Sequence, residues 1–252
     1  MATDSAPPAA AGVFETLAVV DGQPRLLERH LARLSHGCER LGMAAPPDSL
    51  LAAKIDAAAA LPATGVIKLI VNRSAAQLHD APRWSVQAEP PRLRPEAWAH
   101  DGVRIITCRT RWAIEPKLAG LKLLDRSAQT RARAEWTDAG IAEGLMLDCE
   151  GRLVSGTMTN VYAVIDGAVS TPAIVRCGVV GVMRAALLDA WHSAGQPALV
   201  RDMAPCELEG ADEIFLSNAL IGVWPVRTLD SRDFPVGPVA RAASACIRRG
   251  FR

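Results

Sequence analysis

No two of the six cysteines in this 252-residue sequence form a C-x-x-C pair. They stand far apart, at Cys38, Cys108, Cys149, Cys177, Cys206 and Cys246, which suits a reducing compartment and offers no zinc pattern. Excess charge is missing too: the formal net charge is +1, and no block of five like charges occurs. A protein that neutralises phosphates along a strand needs a basic surplus, so nucleic acid is not expected as the main partner. No apolar run approaches the ~20 residues that a membrane-spanning helix requires. The opening MATDSAPPAAAG lacks the charged and apolar regions of a signal peptide, and residues 1–11 read as a flexible tail. Internal repeats are absent. What remains is a soluble, cytoplasmic, globular protein. Half of its residues are apolar, enough for one large domain or two smaller ones with real cores.

Beyond the tail, VFETLAVVDGQPRLL alternates Val13, Glu15 and Leu17 ahead of Asp21-Gly22, which predicts a β-hairpin. ERHLARLSHGCERLGM sets Leu31, Leu34, Cys38 and Leu41 at helical spacing, with Gly42 near its end. A second helix is predicted in DSLLAAKIDAAAAL, capped by Asp48 or Ser49. Strands follow in GVIKLIVNR, RWSVQAEPP and GVRIITCRTR, the last running into WAIEPKLAGLK. A helix is expected from about Asp125 to Gly140, then two strands in hairpin order with turns at Glu150-Gly151 and Asp166-Gly167. GVMRAALLDAWHSAG reads as an amphipathic helix ended by Gly195, ADEIFLSNALIGVWPV as a strand and a turn, and a helix closes the chain. Strands and helices interleave without a long repeated βα period, which argues for α+β rather than a Rossmann sheet. The break near residues 112 to 120 separates a small α+β domain, 12–113, from a larger one, 114–252.

Chemistry enters with PKLAGLKLLDRSAQTRARAEW, residues 116–136. Lys117 follows a proline, whereas Lys122 has leucines on both sides. Desolvation in such a setting favours a neutral amine, which is the nucleophile a Schiff-base lysine must be. The alternative is a stem laid along Leu118 with its charged end in water, and spacing does not decide between the two. CGVVGVMRAALL places two glycines ahead of a helix whose first N–H groups and dipole favour an anion. FLSNALIGVWPV puts Ser217 and Asn218 at the end of an apolar strand, where a turn can present N–H groups. ERHLARL offers His30 and Arg33 on one helical face. Each alone is also what a cap or a solvated surface looks like. Together they outline a lysine and a phosphate cradle, the needs of pyridoxal phosphate with its aldehyde and its dianion.

In order, VFETL, RHLARL, LAGLKLLDR, LVSGTMTNVYAV, GVVGVMR and FLSNALIGVWPV make the chain resemble class IV (fold-type IV) pyridoxal-phosphate enzymes from about Gly12 to Val226. That group includes branched-chain and D-amino acid aminotransferases and the aminodeoxychorismate lyases, and PKLAGLKLLDR and SNALIGVWPV look most like the lyases. The resemblance implies a homodimer whose two-domain fold joins a small α/β domain to a larger mixed-sheet pseudobarrel that binds the cofactor. It implies that Lys122 holds the cofactor aldehyde covalently and that Arg33 contacts the phosphate. Gly181 with the N–H groups of Val182 and Met183, and the turn at Asn218 and Ala219, match further phosphate contacts. Arg111 stands where the lyases carry an arginine, for a substrate carboxylate. No metal is implied.

The pattern is departed from at several places. Ser155 occupies the position at which relatives carry a glutamate beside the pyridine nitrogen. Glu150 cannot replace it, lying across a turn with opposite strand parity. VNRSAAQLHDAPRW stands in place of a loop rich in glycine and arginine, the strand usual before FET is missing, and Asp125 replaces a common asparagine. A lyase forming 4-aminobenzoate for folate synthesis tolerates Ser155 best, because aromatisation of the product helps to drive the cleavage. An aminotransferase needs a strong electron sink in both half-reactions, and the single tyrosine, Tyr162, cannot furnish a tyrosine-rich substrate pocket. A non-catalytic relative is the third reading, opposed by the retained Lys122, Arg33 and GVVGVMR turn.

Overall fold

Alternating side chains commit Ala11–Val20 to an extended strand, β1, and Asp21 and Gly22 reverse it into β2 (Gln23–Pro24). Both turn residues have left-handed φ, 52° and 72°, the backbone that a two-residue Asp-Gly hairpin requires. The structure, a computed structural model, describes residues 11–59, 64–73, 82–91 and 93–250. Residues 1–10 of the tail read over 1–11, and the part of the atypical loop at 74–81, lie outside the described residues, whereas Ala11 already belongs to β1.

The described chain forms two compact units. The first takes residues up to 91 together with Leu121–Asp125. It holds β1, β2, β3 (Thr64–Arg73) and β4 (Arg83–Glu89) in one antiparallel sheet ordered β2-β1-β3-β4. Helices α1 (Leu27–Arg40) and α2 (Asp48–Ala59) complete it. The helical period in α1 does what the spacing predicts: Leu34 and Cys38 are buried, and Gly42 ends the helix with φ 62°.

The second unit comprises Leu93–Gly120 and residues 126–250. It begins earlier than the predicted boundary near residue 113, because β5 (Val103–Trp112) is bonded between two strands of its sheet. Those neighbours are β6 (Ile141–Asp148) and β12 (Gly222–Leu229). The remaining strands are β7 (Leu153–Gly156), β8 (Asn160–Ile165), β9 (Ala168–Pro172), β10 (Leu199–Arg201), β11 (Glu213–Asn218) and β13 (Arg232–Asp233). Helices α3 (Ala97–His100), α4 (Ser127–Arg133), α5 (Val182–Ser193) and α6 (Pro238–Gly250) surround them. Among the described residues, no helix is long and apolar enough to cross a membrane.

The nine-stranded sheet runs β10-β9-β8-β11-β12-β5-β6-β7, with β13 paired to β12. Its last strand, β7, is joined to β8 by residues 157–159, although four strands stand between them in that order. Flat, the two would lie roughly 24 Å apart at about 4.8 Å per strand. Four residues of extended chain reach about 14 Å. The sheet must therefore roll until its edge meets its middle, which makes the mixed-sheet pseudobarrel of the expected α+β, fold-type IV architecture. One face of β6 sends Leu145 and Leu147 into a core with Ile105, Leu216 and Trp224, and Met146 on the other face packs with Cys108 and Trp136.

Two predicted elements change. The helix expected from Asp125 to Gly140 is only Ser127–Arg133. Beyond it, Glu135 accepts the N–H groups of Arg109 and Thr110 at 2.7 and 2.8 Å, and Trp136 turns into the core, so tertiary partners override the helical pattern. The stretch read as two strands is four, β6 to β9, because a tight turn splits it at 157–159.

Candidate active site

In the first unit the predicted residues gather on β1, α1 and the returning segment. His30 and Arg33, three apart on α1, share a face as i, i+3 neighbours do, and both meet Glu15 of β1. Arg33 grips that carboxylate with two parallel bonds, Nε to Oε1 at 2.7 Å and Nη2 to Oε2 at 2.6 Å. His30 Nδ1 lies 2.6 Å from Oε2. Burial alone would raise the Glu15 carboxyl, but the charge and hydrogen bonds of Arg33, followed by those of His30, hold it at about 2. Burial lowers His30 below its ordinary 6.5, against the pull of Glu15, and the charges of Arg33 and Lys122 push the same way as burial. The imidazole is thus neutral at pH 7 and donates from Nδ1, while its buried Nε2 has no hydrogen-bond partner among the described residues.

Lys122 returns to this unit as an extra strand-like segment along β1. Its carbonyl accepts Phe14 N–H at 3.1 Å, Leu124 N–H donates to Gly12 at 2.9 Å, and Leu123 stands opposite Val13. Gly12 permits the approach, since a Cβ there would overlap Leu124 and come within 2.8 Å of the Val71 carbonyl. The lysine meets an aromatic face: Nζ stands 4.4 Å from the centre of the Phe14 ring. Leu121 is buried, Lys122 and Leu123 are half-buried, and Leu124 is exposed, as is Lys117.

The second unit carries the rest. Ser155, buried on β7 opposite Met146, donates its hydroxyl to the Gly156 carbonyl at 2.9 Å. Gly181 precedes α5 in extended conformation, and no side chain caps the helix. The helical ladder starts with Ala185 N–H to the Gly181 carbonyl, so the N–H groups of Val182 and Met183 have no acceptor within the helix. A Cβ at Gly181 would overlap the Asn160 side-chain oxygen, while Asn160 Nδ2 donates to the Val179 carbonyl at 3.0 Å. Asn218 shapes the turn that holds Ala219: its Oδ1 accepts Leu220 and Ile221 N–H at 2.8 and 2.9 Å, and its Nδ2 reaches the Met158 carbonyl at 3.1 Å. Arg111 is exposed on β5 and donates to the Cys108 carbonyl. Tyr162 is a core residue, its hydroxyl 2.9 Å from Ser217 Oγ and its ring stacked on Phe215.

Taken separately, each unit carries groups that suit one part of a phosphorylated aldehyde. An uncapped helix N-terminus behind a glycine suits a dianion, and the half-buried Lys122 amine suits an aldehyde. The residues that pattern reading passed over are acids: Glu15 and, on β6, Glu143, both buried. Glu15 carried a signal, because it occupies the apolar register between Val13 and Leu17. Glu143 gave none.

Comparison with known proteins identifies the family. The model of the class IV amino-transferase family matches residues 12–229. The aminodeoxychorismate lyase of Vibrio harveyi is 36% identical over 149 residues, which are 58% of this chain and 55% of that protein. The chain thus spans little more than half the length of that relative. The crystal structure of 4-amino-4-deoxychorismate lyase from Pseudomonas aeruginosa is 46% identical, with a TM-score of 0.89 over 95% of this chain and 90% of that one. A branched-chain aminotransferase from Thermoproteus uzoniensis, 22% identical, shares the fold with a TM-score of 0.84 over 95% of this chain and 84% of its own.

Proposed function

The chain belongs to the class IV aminotransferase family, and within it we propose a pyridoxal-phosphate-dependent lyase that splits 4-amino-4-deoxychorismate into pyruvate and 4-aminobenzoate. The observation that carries this reading is the 46% identity with the Pseudomonas lyase over 95% of the chain. A cytoplasmic homodimer is part of the same proposal.

Pyridoxal phosphate, when bound, would supply an aldehyde for the substrate amine and a ring able to draw electrons from the amine-bearing carbon. Lys122 would hold the aldehyde between turnovers, and its amine, once released, would take the proton from that carbon. The ether C–O bond then breaks, the enolpyruvyl group gains a proton to become pyruvate, and the six-membered ring becomes aromatic. Arg33, the amides of Val182 and Met183, and the Asn218–Ala219 turn bind the phosphate without changing protonation. Glu15 fixes the guanidinium of Arg33 through its two bonds. Arg111 serves a substrate carboxylate. Ser155 would offer the ring nitrogen a neutral hydroxyl, a weaker support for negative charge than a carboxylate, and aromatisation would offset that weakness in a lyase.

Turnover without any 2-oxo acid separates the two chemistries of the family. A lyase converts many equivalents of substrate with no amino acceptor present. Product limited to one equivalent per site, or dependent on added 2-oxoglutarate, would instead identify an aminotransferase.

A further inference from the structure

Glu143 has no place in the site described so far, yet its carboxylate accepts five hydrogen bonds. It lies on β6 with 0% exposure. Its Oε1 accepts Gly144 N–H at 2.9 Å, Thr157 N–H at 3.1 Å and Thr157 Oγ1 at 2.6 Å. Its Oε2 accepts Met158 N–H and Thr159 Oγ1, both at 3.1 Å. These five partners are all neutral. Four of them come from the three residues that join β7 to β8, so the carboxylate acts as the mould of that turn. The fit is close: a Cβ on Gly156 would overlap Thr159 Oγ1 and stand 2.8 Å from the Glu143 carboxyl.

Two of the hydrogen bonds that leave residues 157–160 reach the segments assigned to the phosphate in this unit. The Met158 carbonyl accepts Asn218 Nδ2 at 3.1 Å, and Asn218 in turn shapes the 218–222 turn through Leu220 and Ile221. Asn160, the first residue after the turn, holds the Val179 carbonyl at 3.0 Å and packs against Gly181 at the start of α5. The two segments assigned to the phosphate are therefore both anchored to one short turn, and that turn is set by Glu143.

We propose that Glu143 is a positioning residue that holds the α5 N-terminus and the Asn218–Ala219 turn in register for one phosphate group. It acts through the 157–160 turn and touches neither cofactor nor substrate. The proposal rests on the phosphate-cradle reading above, and it predicts a selective defect. Weakening the mould loosens recognition of the phosphate while leaving recognition of the pyridine aldehyde alone.

The experiment compares pyridoxal phosphate with pyridoxal, which lacks the phosphate, by absorbance titration of the cofactor-free full chain. Glu143→Gln keeps the shape but removes charge and replaces an acceptor by a donor. It should raise the Kd for pyridoxal phosphate about tenfold or more, with the Kd for pyridoxal moving less than about twofold. Equal loss for both compounds would mark Glu143 as a general stabiliser of the fold and overturn the proposal, as would no change in either. If Glu143→Gln does not fold, Thr159→Val carries the test by deleting one of the five donors. A selective loss of about two- to fivefold is then expected, and an unaltered ratio overturns the proposal. A wild-type protein that binds the two compounds equally would overturn the cradle itself, and the role of Glu143 with it.

Discussion

Replacing Glu15 by glutamine removes the charge between Arg33 and His30 while keeping the shape of the side chain. The carboxyl is held at about 2 against an ordinary 4.5, and at 1.36 kcal/mol per pH unit that corresponds to about 3 kcal/mol of folding stability at pH 7. Glu15 is 1% exposed, so solvent screening takes little from this figure. Breaking a buried ion pair by removing one partner costs about 3–5 kcal/mol, an independent route to the same size. The pH dependence has a definite sign. A carboxyl whose folded pKa is depressed stabilises fully above 4.5, and that contribution is lost as the pH falls towards about 2. The glutamine does not titrate. Urea unfolding of the cofactor-free proteins should therefore show wild type ahead by about 3 kcal/mol at pH 7, narrowing to about 1 kcal/mol at pH 3. A gap below about 1 kcal/mol at pH 7, or one that stays constant with pH, would refute the account of Glu15 as a buried, charged anchor.

Three further outcomes are expected. Borohydride reduction of the holoenzyme followed by peptide mapping should find the cofactor on Lys122, and Lys122→Ala should abolish the adduct. Its appearance on the exposed Lys117 would contradict the assignment. Ser155→Glu should raise transamination of simple amino acids relative to lyase turnover, because a carboxylate strengthens the electron sink, and an unmoved ratio would remove Ser155 from that role. Aromatic disulfide reagents should modify the exposed Cys149 and Cys206 first, with Cys246 slower. Cys38, Cys108 and Cys177, whose thiols burial pushes up to about 11, 12 and 12, should react only after unfolding, and rapid labelling of any of them would contradict their burial.

Local pattern carries a good part of this fold. The Asp21-Gly22 and Asp166-Gly167 hairpin turns, the period of α1 and the glycine stops at Gly42 and Gly195 are encoded within a few residues, and each takes the left-handed backbone that it needs. The losses occur where a distant group decides. Glu135 leaves the helical pattern to accept two backbone N–H groups of β5, and Glu143 of β6 accepts N–H groups of the β7–β8 turn. The candidate site shows the same division. Lysine, arginine and glycine at motif spacing stand out directly, whereas of the two buried acids beside these segments only Glu15 leaves a trace in the pattern. A buried carboxylate is legible only when it breaks an apolar register, as Glu15 does and Glu143, followed by a glycine, does not.

The central claim is tested most directly by supplying the purified holoenzyme with enzymatically generated 4-amino-4-deoxychorismate and measuring both products. The account predicts pyruvate and 4-aminobenzoate in equal amounts over many turnovers, with both lost together in Lys122→Ala. Pyruvate and 4-aminobenzoate forming no faster than in the absence of enzyme, or equally fast with Lys122→Ala, would contradict it.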